Sequence, residues 1–335
     1  MSTILVTGAS GFIALHVVQK LLDAGHIVHA TVRSSPKKAL VEKLFLEKYP
    51  SLLTIFMCDL LSDDGWSDAM RDCDYVIHCA SPFPPKPVDD PQTLIRPAKE
   101  GTLRVLRFAQ EHKVKHVVVT SSIAAVAFGR SDKKHFGPVD WSDVQSDTID
   151  DYQKSKALAE RAAWQYVQSL GTSCHFTMCT ILPGLVIGPM LGEQINTSNR
   201  IIERMMRGDY PGYPHINIAV VDVREVAEMH ILAMSTPNTK GKRLIMAAKN
   251  YWIKEVALIL RKHGYKNAPS MAIPNFVINF LALFDNEMAL AARYLGMEKY
   301  YDCSDTISLL NWDPIDYEAS IVESAKSIDS LRNIT

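Results

Sequence analysis

Hydrophobic and polar positions alternate between two patterns along the first half of the chain. Short apolar runs, "TILVTG", "IVHATVR", "LTIFMCDL", "YVIHCAS" and "HVVVTSS", are separated by longer stretches with helical spacing. In "FIALHVVQKLLDAG" the residues Ile13, Val17, Val18, Leu21 and Leu22 fall on one helical face. Further helices are predicted over "SPKKALVEKLFLEK", around "WSDAMRDC" and over "RPAKEGTLRVLRFAQEH". Several strands are continuous apolar runs, as expected of a parallel sheet covered on both faces. Repeated strand–helix units predict an α/β, doubly wound fold whose ligands sit at the carboxyl ends of the strands.

A long helix follows over "YQKSKALAERAAWQYVQSLG", and then the strand "FTMCTIL". Beyond it the pattern loosens: Pro and Gly are dense from Pro183 to Pro214, and Met and aromatic residues gather from Tyr265 to Tyr301. These shifts predict a Rossmann-type domain over residues 1–182 and a smaller, mainly C-terminal substrate lobe over 183–335. The chain is expected to return to the main sheet over about 216–247, through "INIAVVDV" and "RLIMAA".

Composition narrows the partners. With 335 residues, 47% hydrophobic, the chain has ample material for a large core. A net charge of −1 argues against nucleic acid as a partner. The longest apolar stretches, "FTMCTILPGLVIGPML" and "FVINFLALF", are broken by Pro and Gly or are too short to span a bilayer, so no membrane partner is expected. The six cysteines include no Cys-x-x-Cys pair and no zinc-ligand spacing, so no metal is expected and reduced thiols in a cytoplasmic protein fit best. The first strand begins within three residues of Met1, leaving no room for a signal peptide.

The candidate chemistry begins at "LVTGASGFIALH". A strand entering a glycine turn that opens a helix makes an anion site, because backbone N–H groups and the helix dipole point at the same place. Gly8 permits the turn, Gly11 lets the backbone approach a pyrophosphate, and Ala14 serves helix–strand packing in the third small position. Strand two ends in "TVRSSPKK", where an NAD enzyme would carry an acid for the ribose hydroxyls. Arg33, with Lys37 and Lys38 beyond it, suits a 2′-phosphate instead, which favours NADP(H). Asp59 ends strand three, within reach of an adenine amino group, and Ala80 and Ser81 follow strand four beside the middle of the cofactor. His78, inside that strand, reads as a packed core histidine.

Tyr152 and Lys156 stand four residues apart on the long helix and share a face. A neighbouring ammonium stabilises a phenolate, which suits proton donation to a carbonyl oxygen as hydride arrives from a nicotinamide. About thirty residues earlier, "VVVTSSIAAV" supplies a strand-end hydroxyl for the substrate oxygen: Ser122, with Thr120 and Ser121 as competitors.

The ordered set T-G-x-x-G-F-I, D-L, H-x-A-S-P, "PAKEGT", T-S-S, Y-x-x-x-K, "PGLVIGP" and "VDVREVAEMH" resembles the extended short-chain dehydrogenase/reductases over nearly the whole chain. Within them it is similar to the branch of dihydroflavonol 4-reductases, cinnamoyl-CoA reductases and NADPH-dependent ketone and aldehyde reductases. The resemblance implies a catalytic set of Ser122, Tyr152 and Lys156, with Lys156 also holding the nicotinamide ribose. It implies a pyrophosphate loop at Gly8, Gly11, Phe12 and Ile13, 2′-phosphate contacts at Arg33 and Lys37, and adenine contacts at Asp59 and Leu60. Pro183 and Gly184 to Val186 would border the nicotinamide carboxamide, and Ser198 would reach the cofactor from the lobe. Arg104 stands where the branch commonly has Asn, which puts hydrogen bonds buttressing the local loop in question.

The expected reaction is NADPH-dependent reduction of a hydrophobic or aromatic ketone or aldehyde, by a monomer or homodimer. Phe83, Met205, Tyr213 and Phe284 are candidate pocket walls, although each equally suits a core. The alternatives are an NAD-retaining sugar-nucleotide epimerase or dehydratase and a non-enzymatic NADP-sensing protein. The first would want an acid in place of Arg33, and the second has no use for the Tyr152–Lys156 pair.

Overall fold

The computed structural model describes residues 1–82 and 88–333, apart from the side chains of Asn286 and Glu287. Seven parallel strands form the main sheet: β1 (Thr3–Thr7), β2 (Ile27–Val32), β3 (Leu53–Met57), β4 (Tyr75–His78), β5 (His116–Thr120), β7 (Thr177–Pro183) and β10 (Arg243–Met246). Their order is β3-β2-β1-β4-β5-β7-β10. The chain winds outward from β1 to β3 and then crosses back to β4, so the strand order reverses beside β1. Val6 pairs with Ala30 on one side and Ile77 on the other. This reversal opens a crevice at the carboxyl ends of β1 and β4.

Helices cover both faces, as the continuous apolar strands require. On one side α1 (Phe12–Asp23) packs against α7 (Val223–Ser235) over Val6, Val17, Val18, Leu21 and Val226. On the other, α3 (Trp66–Met70), α4 (Gln92–Glu111) and α5 (Asp151–Leu170) enclose Leu5, Trp66, Leu106, Val117 and Phe176. The second predicted helix divides into α2 (Ser35–Val41) and a wider turn over Glu42–Leu46 that buries Phe45. Helix α4 begins at Gln92, earlier than the predicted Arg96, and keeps Pro97 inside its first turns.

The segment expected to rejoin the main sheet divides. Strand β9 (Asn217–Asp222) lies in a separate three-stranded sheet, parallel to β8 (Leu185–Ile187) and antiparallel to β11 (Lys249–Trp252). Only β10 joins the main sheet, at its edge. An apolar run such as "IAVV" marks a strand buried on both sides and does not say which sheet it joins. The later chain packs α6 (Asn199–Arg207), α8 (Ile253–Lys262) and α12 (Tyr317–Arg332) around Met205, Met206, Leu260 and Ile321, a core of its own. Helices α9 (Asn275–Leu281), α10 (Asn286–Ala292) and α11 (Ser304–Leu310) complete this region, and β12 (Tyr300–Tyr301) pairs with β6 (His135–Phe136). Among the described residues no helix is long and apolar enough to cross a membrane.

A buried ion pair ties edge strand β10 to α5. Arg243 donates to Glu160 through Nε at 2.7 Å and through a terminal nitrogen at 3.2 Å, and both side chains are almost wholly buried. Glu160 also accepts from Ser121 (2.6 Å), Thr180 (3.0 Å) and Trp164 (3.1 Å). Arg243 reaches on to the carbonyls of Pro138 and Asp140, and its guanidinium lies 3.8 Å from the Trp141 ring centroid. Removing one partner strands a charge without water. Arg243→Met should lower the unfolding free energy by about 3–5 kcal/mol in urea denaturation; a loss below about 1 kcal/mol contradicts this account of the pair.

Candidate active site

The glycine turn stands in the crevice. Gly8 has φ +64°, and a Cβ there would lie 2.8 Å from the Cα of Ala80, so the turns after β1 and β4 touch. The Gly11 amide donates to the Gly8 carbonyl at 2.8 Å and closes the turn. Gly11 is also the N-cap of α1, where no side chain supplies an acceptor and no acid occupies the first turn. The helix therefore begins with uncapped amides at Phe12 and Ile13, suited to an anion. Ala14 is buried against the sheet, as the packing reading expects.

His78 does more than fill the core. It is fully buried, and burial pulls its imidazole down to about 3, so it is neutral. Its Nε2 lies 3.2 Å from the Thr102 hydroxyl, which donates to the Ala98 carbonyl at 2.8 Å. Nε2 must then carry the proton, and Nδ1 accepts from the Thr7 hydroxyl at 2.7 Å. Thr7 in turn accepts from the Ala80 amide at 3.1 Å. This chain fixes the two strand ends that frame Gly8.

Arg33 is exposed at the end of β2, and among the described residues no carboxylate pairs with it. Lys37 donates to Gln194 at 2.6 Å, from a segment preceding α6, while Lys38 lies 3.8 Å from Glu42. After β3, the Asp59 carboxylate accepts from the Leu61 amide at 2.8 Å and its carbonyl from the Trp66 indole at 2.9 Å. Arg104 donates to the Leu60 carbonyl and pairs with Asp63. The residue that departed from the branch pattern therefore buttresses this loop itself. Leu60 lies so close to α4 that a Cβ on Gly101 would meet it at 2.7 Å. An uncapped helix start, a cation free of carboxylates and a braced loop beyond β3 together fit NADP.

The hydroxyl, phenol and ammonium converge beside this crevice. Ser122 follows β5, caps the short turn Ile123–Ala125 by accepting from the Ala124 amide at 3.1 Å, and hydrogen-bonds Tyr152. Its competitors are engaged elsewhere: Ser121 with Glu160, and Thr120 with His230 at 2.7 Å. Lys156, one turn along α5, holds its ammonium 6.0 Å from the Tyr152 ring centroid. Burial pushes the Tyr152 phenol above its ordinary range, opposed by the Ser122 hydrogen bond. Asp150, at the start of the same helix, pushes this phenol in the same direction as burial. Burial also draws Lys156 down to about 8, with Cys79 and Glu160 opposing.

Other candidate positions scatter. Ala80 and Ser81 are half-buried just beyond β4, Pro183 closes β7, and Val186 is buried in β8. Ser198 is buried just before α6, between Asn196 and Asn199, whose Nδ2 and Oδ1 atoms respectively have no hydrogen-bond partner among the described residues. Met205 belongs to the core around α6, α8 and α12, while Tyr213 is half-buried against that core. Phe284 is 78% exposed and meets Phe280 edge-on at 5.5 Å. Phe83 lies outside the described residues. The sequence reading missed Glu160, Arg243 and the capping box of α5. The Asp150-x-x-Gln153 spacing was a legible signal for the last.

Comparison with known proteins agrees with this geometry. A model of the NAD dependent epimerase/dehydratase family matches residues 4–247. A cinnamoyl-CoA reductase of Medicago truncatula is 37% identical over 283 residues, 82% of this chain and 83% of its own. A putative NADPH-dependent methylglyoxal reductase of Candida albicans is 33% identical over 285 residues, covering 78% and 82%. The crystal structure of yeast methylglyoxal/isovaleraldehyde reductase complexed with NADPH superposes with a TM-score of 0.83 at 24% identity, covering 99% of this chain and 100% of that one. The seven-stranded sheet, its glycine turn and these matches place the chain in the NAD dependent epimerase/dehydratase family, the extended short-chain dehydrogenase/reductases.

Proposed function

We propose that this chain reduces the carbonyl of a hydrophobic or aromatic ketone or aldehyde, with Tyr152 as the proton donor. The chain is an NADP-dependent oxidoreductase, and its curated relatives include reductases named for cinnamoyl-CoA and methylglyoxal. The observation that carries the finer reading is the Ser122–Tyr152 hydrogen bond, set beside Lys156 in a water-poor site. The bound nicotinamide supplies the hydride. Gly8, Gly11, Phe12 and Ile13 would hold the pyrophosphate, Arg33 and Lys37 the 2′-phosphate, and Lys156 the nicotinamide ribose.

Ser122 positions the carbonyl oxygen. Tyr152, protonated at neutral pH, has a proton to give as that oxygen gains negative charge. The phenolate left behind is stabilised by the Lys156 ammonium and recovers its proton from solvent. Arg33, which pairs with no carboxylate among the described residues, speaks against the NAD-retaining epimerase alternative. The Ser122–Tyr152–Lys156 set speaks against a mere NADP sensor.

Three outcomes follow. Tyr152→Phe should lower kcat by roughly 10²- to 10⁴-fold, with NADPH affinity by fluorescence titration within about twofold of the parent; near-parental turnover sinks the proton-donor assignment. Arg33→Ala should raise the KM for NADPH by roughly 10- to 100-fold, as expected from losing a charge-assisted contact, and leave the KM for NADH little changed; equal effects on both would contradict the 2′-phosphate role. Because Lys156 is drawn down to about 8, its ammonium is present below that pH and lost above it. The kcat for reduction should therefore fall as pH rises through about 8, and a rate that climbs across that range would contradict the role given to Lys156.

A further inference from the structure

Tyr152 is the second residue of α5. The first turn of a helix lacks half its backbone hydrogen bonds and frays, a poor mount for a side chain whose placement sets a reaction rate. Here a closed ring of hydrogen bonds secures that turn. The Gln153 amide donates to Asp150 Oδ1 at 2.8 Å, and the Asp150 amide donates to Gln153 Oε1 at 3.0 Å. The Gln153 side-chain amide donates to the Tyr294 hydroxyl, which donates to Asp150 Oδ2 at 2.8 Å. Tyr294 follows α10 and comes from the C-terminal region. The ring encloses the backbone on either side of Tyr152.

The same stretch grips the segment that carries Ser122. Lys299 donates to the Ala127 carbonyl, and its ammonium lies 4.3 Å from the centroid of the Phe128 ring. Tyr294 also meets Phe128, edge-on with ring centroids 6.1 Å apart. Just beyond, Tyr300 and Tyr301 pair in parallel with His135 and Phe136, and the Tyr300 amide donates to the Lys134 carbonyl at 2.8 Å. Residues 294–301 thus touch both chain segments that deliver the reacting groups, one at the start of α5 and the other six residues after Ser122.

We propose that Tyr294 and Lys299 are positioning residues of the reductase: together they form a latch that sets Tyr152 and Ser122 in register for proton transfer. The proposal rests on the role given to Tyr152 above. It deepens that reading by assigning the C-terminal region a part in the chemistry beyond enclosing a substrate. A displacement of about 1 Å in a reacting group is enough to lower a rate by orders of magnitude. The latch should therefore act on kcat and leave cofactor binding alone.

The test measures steady-state NADPH oxidation with an aromatic aldehyde for Tyr294→Phe, Lys299→Met, Tyr152→Phe and the double variant Tyr294→Phe/Tyr152→Phe, beside thermal unfolding of each. Tyr294→Phe keeps the ring against Phe128 and removes only the hydroxyl. Its kcat should fall about tenfold, as the loss of one bridging hydroxyl and a loosened first turn imply, with the KM for NADPH within about twofold. In the Tyr152→Phe background the same change should cost nothing further, because the latch acts through Tyr152. Lys299→Met should lower kcat in the same sense, and it carries the test if Tyr294→Phe fails to fold. If Tyr152→Phe is inactive while Tyr294→Phe and Lys299→Met keep the parental kcat, the latch is wrong and the proton-donor reading stands. A drop in melting temperature with unchanged kcat per folded enzyme also overturns the latch, reducing it to a structural tether. If Tyr152→Phe is itself fully active, the reading on which the latch depends has failed instead.

Discussion

The Glu160 carboxylate holds the reacting side of this molecule together. It is buried, and donors from the residue after β5 and from β7, β10 and α5 itself converge on it through Ser121, Thr180, Arg243 and Trp164. Such a charge is tolerable in a dry interior only when it is fully satisfied. The strand ends and the helix must therefore keep one relative position. Glu160 lies one turn beyond Lys156, and Ser121 immediately precedes Ser122. The Glu160–Arg243 pair is thus anchored next to Lys156 and Ser122, two of the three residues to which the proposed function gives the chemistry.

Burial sets the electrostatics of the site more than any neighbouring charge does. It raises the Tyr152 phenol and lowers the Lys156 ammonium toward neutrality. Below about pH 8 the site therefore holds a protonated phenol beside an ammonium, the pairing that the proposed proton transfer requires. The cofactor side works differently. There a neutral His78 with a fixed tautomer, linked to Thr7 and Thr102, braces the turn at Gly8, while α1 starts with uncapped amides. Polar atoms on that side are presented outward, whereas those around Glu160 are consumed within.

Much of this was legible in the sequence because it lies in local patterns. Continuous apolar strands specified the parallel sheet, Gly8 and Gly11 located the turn, and the spacing of Tyr152 and Lys156 placed them on one helical face. Ser122 was separable from Thr120 and Ser121 only once their partners, His230 and Glu160, were in view, more than thirty residues away along the chain. Pairing across such distances leaves no periodic trace. The same holds for Arg243, for Tyr294 and for β9, whose apolar run left open which sheet it joins. The candidate pocket residues fared least well. Met205 and Phe284 share apolar character but not location, since one is in a core and the other on the surface.

The central claim is net hydride transfer out of NADPH, and an isotope experiment addresses it most directly. The protein would be incubated with an aromatic aldehyde and NADPH deuterated at nicotinamide C4, prepared in each of its two stereochemical forms, and the products read by mass spectrometry. The account predicts that one form delivers deuterium to the carbinol carbon, with one NADP⁺ formed for each alcohol. Alcohol that carries no deuterium from either form, or turnover that leaves the dinucleotide unchanged at the end of the cycle, would contradict it.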